Sequence, residues 1–477
     1  MIYVDRNIKT PIYQQIYEQI KRAVIEGKMA EAEKLPSTRS LAAELCVGRN
    51  TVENAYQQLL AEGYVYSRVG SGYMVKDVAT ELFLNDNKSL RSVEDDIKRF
   101  NTSTDNTKGD LPPPILADFH LKNVCINSFP DKMWRKCAEQ VLLCHSNNRF
   151  ASYSNDQGES DLRIEIQKHV QRMRGVVCHI EQIVLCSGLQ FALEKVIKTI
   201  PAEYRVHIGM EEPGSDLVRH YFEKNCSEVT PVPIYPHENF INALKNSKVR
   251  TVFLTPSHQF PTGYVIPIYV RQEILEWAQS NECYIIEDDY DCENRFGIDP
   301  IPAMYSLDEN ERVIYIGSFS KVLSPCLRIN YIILPEHLLP FYHAEYSKIH
   351  SPTSWILQET LARYMREGHL NTHMRKTHRL YKDRHNRLIQ AIKTYFGNGV
   401  DVEGHMTGLH VMLKVKGAQN QEDLILRAQE RGVRVYPVAQ YWKRVENCPT
   451  DTVVIGYAQL ETRDIDNGIR LLKDAWS

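Results

Sequence analysis

Apolar positions recur at helical spacing through the first 76 residues. PIYQQIYEQIKRAVIEG sets Ile12, Ile16, Ile20 and Val24 four apart, with Gly27 at the stop. In LPSTRSLAAEL, Ser37 can cap a second helix after Pro36, and Leu41, Ala42 and Leu45 form its inner face. The turn CVGRN leads into TVENAYQQLLAEG, a third helix with Val52, Tyr56, Leu59 and Leu60 turned inward. YVYSRVGSGYMV then changes to a period of two around Gly70 and Gly72, the pattern of a hairpin. Three helices closed by a hairpin predict a winged helix-turn-helix over 1–76.

The pattern lapses from 77 to 110, where LNDNKSLRSVEDDIKRFNTSTDNTKGD carries few apolar anchors and LPPP follows, as expected of an exposed linker. From 111 to 477 short β-branched runs alternate with helical stretches. The runs Ile183–Leu185, Thr251–Leu254, Cys283–Ile286 and Val313–Ile316 predict buried strands, and 160–173, 268–279 and 354–368 predict helices. Such alternation predicts a mostly parallel α/β sheet. Beyond about 370, a long polar helix and strands near 409–415, 433–436 and 452–457 predict an α+β subdomain. The expected fold is therefore multidomain.

Composition narrows this picture only a little. The 477 residues are 43% hydrophobic and 25% charged, with a formal net charge of −3, which excludes a uniformly basic nucleic-acid coat. Within 1–76, ten Lys/Arg against eight Asp/Glu predict modest DNA affinity for one copy and a need for dimers. The N-terminus is too polar for a signal peptide and no run approaches 18 apolar residues, so no membrane partner is expected. Eleven cysteines without a CxxC pair fit reduced thiols in a cytoplasmic protein, and no metal site is expected.

Arg39, Arg49 and Arg68 have the reach for phosphates or guanine edges, and Thr51 sits at a helix start that favours a phosphate oxygen. The segment LPSTRSLAAELCVGRNTVENAYQQLLAEGYVYSRVGSGYMV resembles the winged-helix domain of GntR-type bacterial regulators along its whole length. That resemblance implies a double-stranded DNA operator contacted by Arg39, Arg49, Thr51 and Arg68. Ala32 stands where that family usually has a glycine, in a loop away from the contact surface.

The run VIYIGSFSKVLSPCLR ends a strand in Lys321, flanked by Ser318 and Ser320 and followed by Arg328. A lysine there is either a surface residue or a Schiff-base former for an aldehyde cofactor. The ends of other strands bear on the choice. CYIIEDDYD places Asp288 where a protonated pyridine nitrogen would meet it, with Tyr290 two residues on for a ring oxygen. CSGLQFAL runs through Ser187 and Gly188 into a helix start suited to phosphate. Ser318, Ser320 and Arg328 would complete the phosphate cup. These landmarks, with YSNDQGESDLR and TPSHQFPTG, resemble the fold-type I aminotransferases, which bind pyridoxal 5′-phosphate. Joined to a GntR-type head, they resemble the MocR/GabR regulators. By that resemblance Lys321 is the Schiff-base lysine, Asp288 and Tyr290 hold the ring, and Ser187, Gly188, Ser318, Ser320 and Arg328 hold phosphate. Tyr153 would reach the opposite subunit's phosphate in a homodimer.

Three departures from those enzymes bear on turnover. Ser215 replaces a tyrosine near the cofactor face, leaving His258 as a candidate to cover the ring. Phe260 stands for an asparagine. In TVVIGYAQL, Val454 takes the place of an arginine that clamps a substrate carboxylate. The expected function is a transcriptional regulator sensing the cofactor or an amino compound. An active aminotransferase with a fused DNA-binding head is the alternative, and a bare dimerisation scaffold is a third reading.

Overall fold

The computed structural model describes residues 2–6, 8, 10–68, 72–76, 114–121, 124–144, 147–297 and 301–477. The linker expected over 77–110 and the hairpin tip at Gly70 lie outside them. The chain divides into two units, Met1–Leu111 and Pro112–Ser477.

In the first unit, α1 (Ile12–Ile25), α2 (Thr38–Glu44) and α3 (Arg49–Ala61) bury one apolar stripe each. Ile16, Ile20, Leu41, Val52, Tyr56 and Leu59 form their common core. Ser37 caps α2 by accepting the Ser40 N–H at 3.0 Å, as its position before the apolar run predicts. The Tyr56 hydroxyl donates to the Pro36 carbonyl at 3.0 Å and ties α3 to the start of α2. Strands β1 (Val65–Arg68) and β2 (Gly72–Val75) pair antiparallel, with Arg68 opposite Gly72.

The second unit is built on a seven-stranded sheet. Its strands are β4 (Ile183–Cys186), β5 (His207–Glu212), β6 (Glu228–Pro233), β7 (Thr251–Leu254), β8 (Tyr284–Asp289), β9 (Val313–Ser318) and β10 (Asn330–Ile333). They lie in the order β4-β10-β9-β8-β7-β5-β6. The five strands β5 to β9 pair parallel, and β10 runs antiparallel to both neighbours. Alternate residues feed opposite cores: Leu185, Tyr315 and Ile333 on one face, Val184, Ile286 and Ile316 on the other. With both faces covered, β4, β7, β8 and β9 are buried along their length and begin as continuous apolar runs, which is why they were visible as such.

The C-terminal part carries a four-stranded sheet ordered β11 (Val400–Glu403), β12 (His410–Val415), β15 (Thr452–Gly456), β14 (Tyr436–Pro437). Two further short strands, β3 (Ala117–Asp118) and β13 (Val433–Arg434), pair with each other in parallel. Helices His369–Phe396 and Thr462–Trp476 cover one face of the larger sheet, where Val411, Leu413, Val453 and Ile455 pack against Leu388, Ile392, Ile465 and Ile469. The other face presents His410, Met412, Val454 and Gly456, because His410 lies opposite Gly456 and Met412 opposite Val454. Among the described residues, no helix is long and apolar enough to cross a membrane.

Candidate functional site

Strand β8 ends in three acids whose side chains alternate between faces, and their partners separate them. Asp289 is buried on the face of helix Ser160–Arg174. There Arg174 Nε meets its Oδ2 at 2.6 Å and the Tyr315 hydroxyl donates to it at 2.7 Å. Arg174 also donates to Ser257 Oγ at 2.7 Å and to the Ile301 carbonyl at 2.8 Å, so this pair is a fully bonded structural clamp. The guanidinium holds the Asp289 carboxyl below the usual range against the opposing effect of burial. Asp288, on the opposite face, is 5% exposed, and its Oδ1 has no hydrogen-bond partner. Burial first, then the charges of Asp289, Glu211 and Glu287, push its carboxyl up to about 8. A buried carboxyl left short of a partner is set to receive a cationic N–H.

Lys321 follows the end of β9. The Ser320 N–H donates to Ser318 Oγ at 3.1 Å, which shapes the turn, and the Lys321 ammonium donates to the Leu121 carbonyl at 3.1 Å. Leu121 is brought there by β15: a Cβ at Gly456 would lie 2.8 Å from Leu121 Cα, so only glycine lets the strand come so close. Lys321 also borders a cavity of about 440 Å³ lined by Glu293, Asn294, Arg172, Arg375 and Arg379. A second cavity, of about 780 Å³, lies between Tyr235, Tyr264, Met406 and Trp442, and neither Lys321 nor Asp288 borders it.

At β4, Ser187 and Gly188 lead into helix Leu189–Thr199, with Gly188 at φ 90° as its N-cap residue. The Arg328 guanidinium lies directly on this glycine, since a Cβ there would stand 2.1 Å from Nη2 and 2.5 Å from Cζ. Arg328 itself holds a left-handed backbone, φ 53°, a conformation uncommon outside glycine and frequent at functional turns. A guanidinium, free helix N–H groups and the nearby serines make an anion cradle.

Tyr290 donates to or accepts from His258 Nδ1 at 3.1 Å, and Asp291 Oδ2 stands 3.5 Å from the same nitrogen. His258 is wedged beneath Gly408, where a Cβ would lie 1.7 Å from Cε1. The next ring is His410, 4.7 Å from His258 between centroids, with its imidazole held far below the ordinary range by burial and then by His258 and Lys321. Phe260 packs on His410 at 5.3 Å and on Tyr441 at 4.8 Å. Ser215 caps helix Asp216–Asn225, accepting the Val218 N–H at 3.5 Å. Tyr153 is 80% exposed, its ring stacked on His350 at 4.4 Å. Arg219 is spent on the Gln440 carbonyl, and Val454 is fully buried in β15. All eleven cysteines are free thiols.

In the first unit, Arg49 opens α3 and Arg39 lies in α2, both exposed, and Thr51 is half-buried beside the Gly48 N-cap. Neither arginine has a hydrogen-bond or ion-pair partner among the described residues. Arg68 ends β1, next to the undescribed tip.

Sequence reading found the strand-end residues but missed the Arg174–Asp289 clamp, Glu211, His410 and the Leu121 carbonyl. Glu211 is visible only in the acidic run before Pro213. It accepts the Thr255 N–H at 3.0 Å, and burial lifts its carboxyl to about 7.

A winged helix-turn-helix followed by an aminotransferase-like α/β unit defines a class of fused regulators. The family of bacterial regulatory proteins called the gntR family matches residues 12–75, and aminotransferase class I and II matches residues 120–470. The HTH-type transcriptional regulator YdeL of Bacillus subtilis is 33% identical over 99% of this chain and 98% of its own. The pyridoxine biosynthesis regulator PdxR of Corynebacterium glutamicum is 30% identical over 91% of this chain and 89% of its own. MocR of Rhizobium meliloti, a probable rhizopine catabolism regulatory protein, is 29% identical over all of this chain and 96% of its own. Among solved structures, an archaeal alanine:glyoxylate aminotransferase superposes with a TM-score of 0.69 at 20% identity, covering 76% of this chain and 90% of that one. The multiple substrate aminotransferase of Thermococcus profundus gives 0.68 at 22%, covering 77% and 92%. The chain belongs to the MocR/GabR-type HTH transcriptional regulators, in which a GntR-type head precedes an aminotransferase class I and II domain. GntR-type heads bind DNA operators, and dependence on pyridoxal phosphate is a trait of the aminotransferase family.

Proposed function

We propose that residues 1–76 bind an operator through Arg39, Arg49, Thr51 and Arg68. On this reading the unit beyond the 77–110 segment holds pyridoxal 5′-phosphate on Lys321 and senses the cofactor or an amino compound. The observation that carries the reading is the gathering of Lys321, the orphaned Asp288 carboxyl and the Gly188–Arg328 cradle at the ends of strands of one sheet. When bound, the cofactor supplies an aldehyde for covalent attachment and a ring that draws electrons from the attached nitrogen.

The residues present fit that group. Asp288 would take the ring N–H, and Tyr290, steadied by His258, the ring oxygen. Ser187, Ser318, Ser320, Arg328 and the helix start at Gly188 would take the phosphate, with Tyr153 of a second copy in a homodimer. Arriving amines would take the place of the Lys321 amine and release it. DNA binding changes only if the new ligand favours one of two conformations, so the effector must discriminate between them.

Titrating the cofactor-loaded protein with amines while following the protein-bound absorbance band, then measuring operator binding with and without the hit, tests this reading. Arg49→Ala is expected to weaken operator binding tenfold or more and leave the band intact. Loss of both together would refute the two-module reading. Gly188→Ala is expected to weaken cofactor retention tenfold or more, because a Cβ there displaces the Arg328 guanidinium from 2.1 Å. Equilibrium dialysis of the cofactor checks it, and unchanged retention would remove Gly188 and Arg328 from the phosphate cup. Sustained transamination at about 10 per second would instead support the aminotransferase reading.

A further inference from the structure

Away from the strand ends, three side chains of metal-binding type meet where two helices join. Helix Trp355–Arg366 is capped by Glu367, and helix His369–Phe396 begins two residues on, with Gly368 between them at φ 77°. The tight joint sets the two side chains against each other, with His369 Nε2 3.2 Å from Glu367 Oε2. Helix Asp131–Cys144 packs on Trp355–Arg366 and brings Cys137 to the same place. The Cys137 Sγ, a Glu367 carboxylate oxygen and a His369 ring nitrogen all lie within 4.8 Å of one another. Cys137 stands far from the other two in sequence, so no ligand spacing announces the cluster. Its surroundings suit a ligand set. Arg363 Nε occupies Glu367 Oε1 at 2.9 Å, which fixes the carboxylate and leaves Oε2 facing the imidazole. The ring of Tyr364 packs on His369, 5.5 Å between centroids. Cys137 is fully buried, whereas the side chains of Glu367 and His369 are 33% and 24% exposed, so that side admits an ion and a water.

We propose that Cys137, Glu367 and His369 bind a zinc ion, with water as the fourth ligand. Thiolate, imidazole and carboxylate are the donor types that zinc takes in proteins, and the thiolate disfavours magnesium and calcium. Donors at about 2.0–2.1 Å from a tetrahedral zinc stand roughly 3.3 Å apart, so the imidazole and the carboxylate already have the required separation. On binding, the thiol gives its proton to solvent. Thiolate and carboxylate then balance the two charges of the ion, and Arg363 keeps its place beside Glu367. The ion pins helix Asp131–Cys144 to the joint between the other two helices. The site is separate from the one proposed around Lys321 and does not depend on it.

The test uses the full-length, cofactor-free protein without an affinity tag, stripped with a chelator and titrated with zinc in competition with a chromogenic chelator. One zinc ion per chain is expected. Cobalt in place of zinc is expected to give a near-ultraviolet thiolate-to-cobalt band. Cys137→Ser is expected to abolish that band, and His369→Gln and Glu367→Gln each to weaken zinc binding tenfold or more. Replacing the exposed thiols Cys46, Cys144 and Cys326 with serine is expected to leave both unchanged. Thermal melts establish that each variant is folded. If Cys137→Ser does not fold, the two partly exposed ligands decide, and unchanged zinc binding in both His369→Gln and Glu367→Gln overturns the proposal. Absence of stoichiometric zinc on the unaltered chain overturns it as well. So does zinc that survives in Cys137→Ser and disappears with the three exposed thiols, which would assign it to the surface.

Discussion

Lys321→Ala protein is expected to lose the protein-bound cofactor band completely while keeping its fold and its operator affinity. The substitution removes the primary amine that the strand-end constellation offers for a Schiff base with an aldehyde. It also removes the hydrogen bond to the Leu121 carbonyl at 3.1 Å from a half-buried side chain; loss of such a bond costs about 1 kcal/mol of stability. Absorbance after cofactor addition and desalting gives the first result, and a thermal melt with an operator-binding titration gives the second. The control is Lys195→Ala. Lys195 is the more deeply buried lysine, and burial lowers its ammonium below the ordinary range, so acidity alone would select it. Its Nζ is instead held by the Tyr342 hydroxyl at 3.0 Å and the Asp156 carbonyl at 3.2 Å, so it is committed to packing. Survival of the band in Lys321→Ala, or its loss in Lys195→Ala, would move the attachment point.

The helix-turn-helix was legible because its signals are local. Ser37 precedes the apolar run it caps by four residues, and α1 shows its stripe within one helix. Four strands of the large sheet, β4, β7, β8 and β9, were legible for a different reason: buried on both faces, they open as uninterrupted apolar runs, whereas β5 (HIGMEE) and β6 (EVTPVP) carry polar residues or prolines and were not singled out. The antiparallel strand β10, Asn330–Ile333, was not singled out, since direction within a sheet depends on partners and leaves no trace in a four-residue apolar run. Which of three consecutive acids faces the site is likewise a long-range matter. Asp289 is claimed by Arg174, 115 residues earlier in the chain, and only that pairing leaves Asp288 free on the other face. The Leu121 carbonyl meets Lys321 across 200 residues, and a backbone atom has no sequence signature at all. Residue types were therefore readable where chemistry demands a particular side chain, and unreadable where the fold supplies a backbone group or a second-site partner.

Asp288→Asn is expected to act in opposite directions on the loaded and the cofactor-free protein. In the free protein, the folded state holds a proton on Asp288 up to about 8, whereas in the unfolded chain the same carboxyl ionises near 3.8. Between those values the folded state binds more protons than the unfolded one, so this group makes stability fall as pH rises from about 4 to about 8 and adds no slope outside that window. An amide has no proton to lose, and cofactor-free Asp288→Asn protein is expected to gain stability over the unaltered protein as pH rises, with a slope smaller by about one proton. Some slope persists, because Glu211 and Glu293 remain raised to about 7 and about 8 by burial. Denaturant melts at several pH values read this out. Once pyridoxal 5′-phosphate is present, the carboxylate that was costly becomes the partner of a cationic ring N–H. A hydrogen bond to a charged group contributes about 1.5–3 kcal/mol, so the amide is expected to weaken retention by about tenfold to a hundredfold. The crossing of the two effects separates a cofactor ligand from a merely structural acid. Removing the carboxylate of a structural acid bonded like Asp289 would destabilise both forms. If Asp288→Asn lowers the stability of the free protein at pH 8, or leaves cofactor retention unchanged, Asp288 is part of the packing and the ring must be held elsewhere.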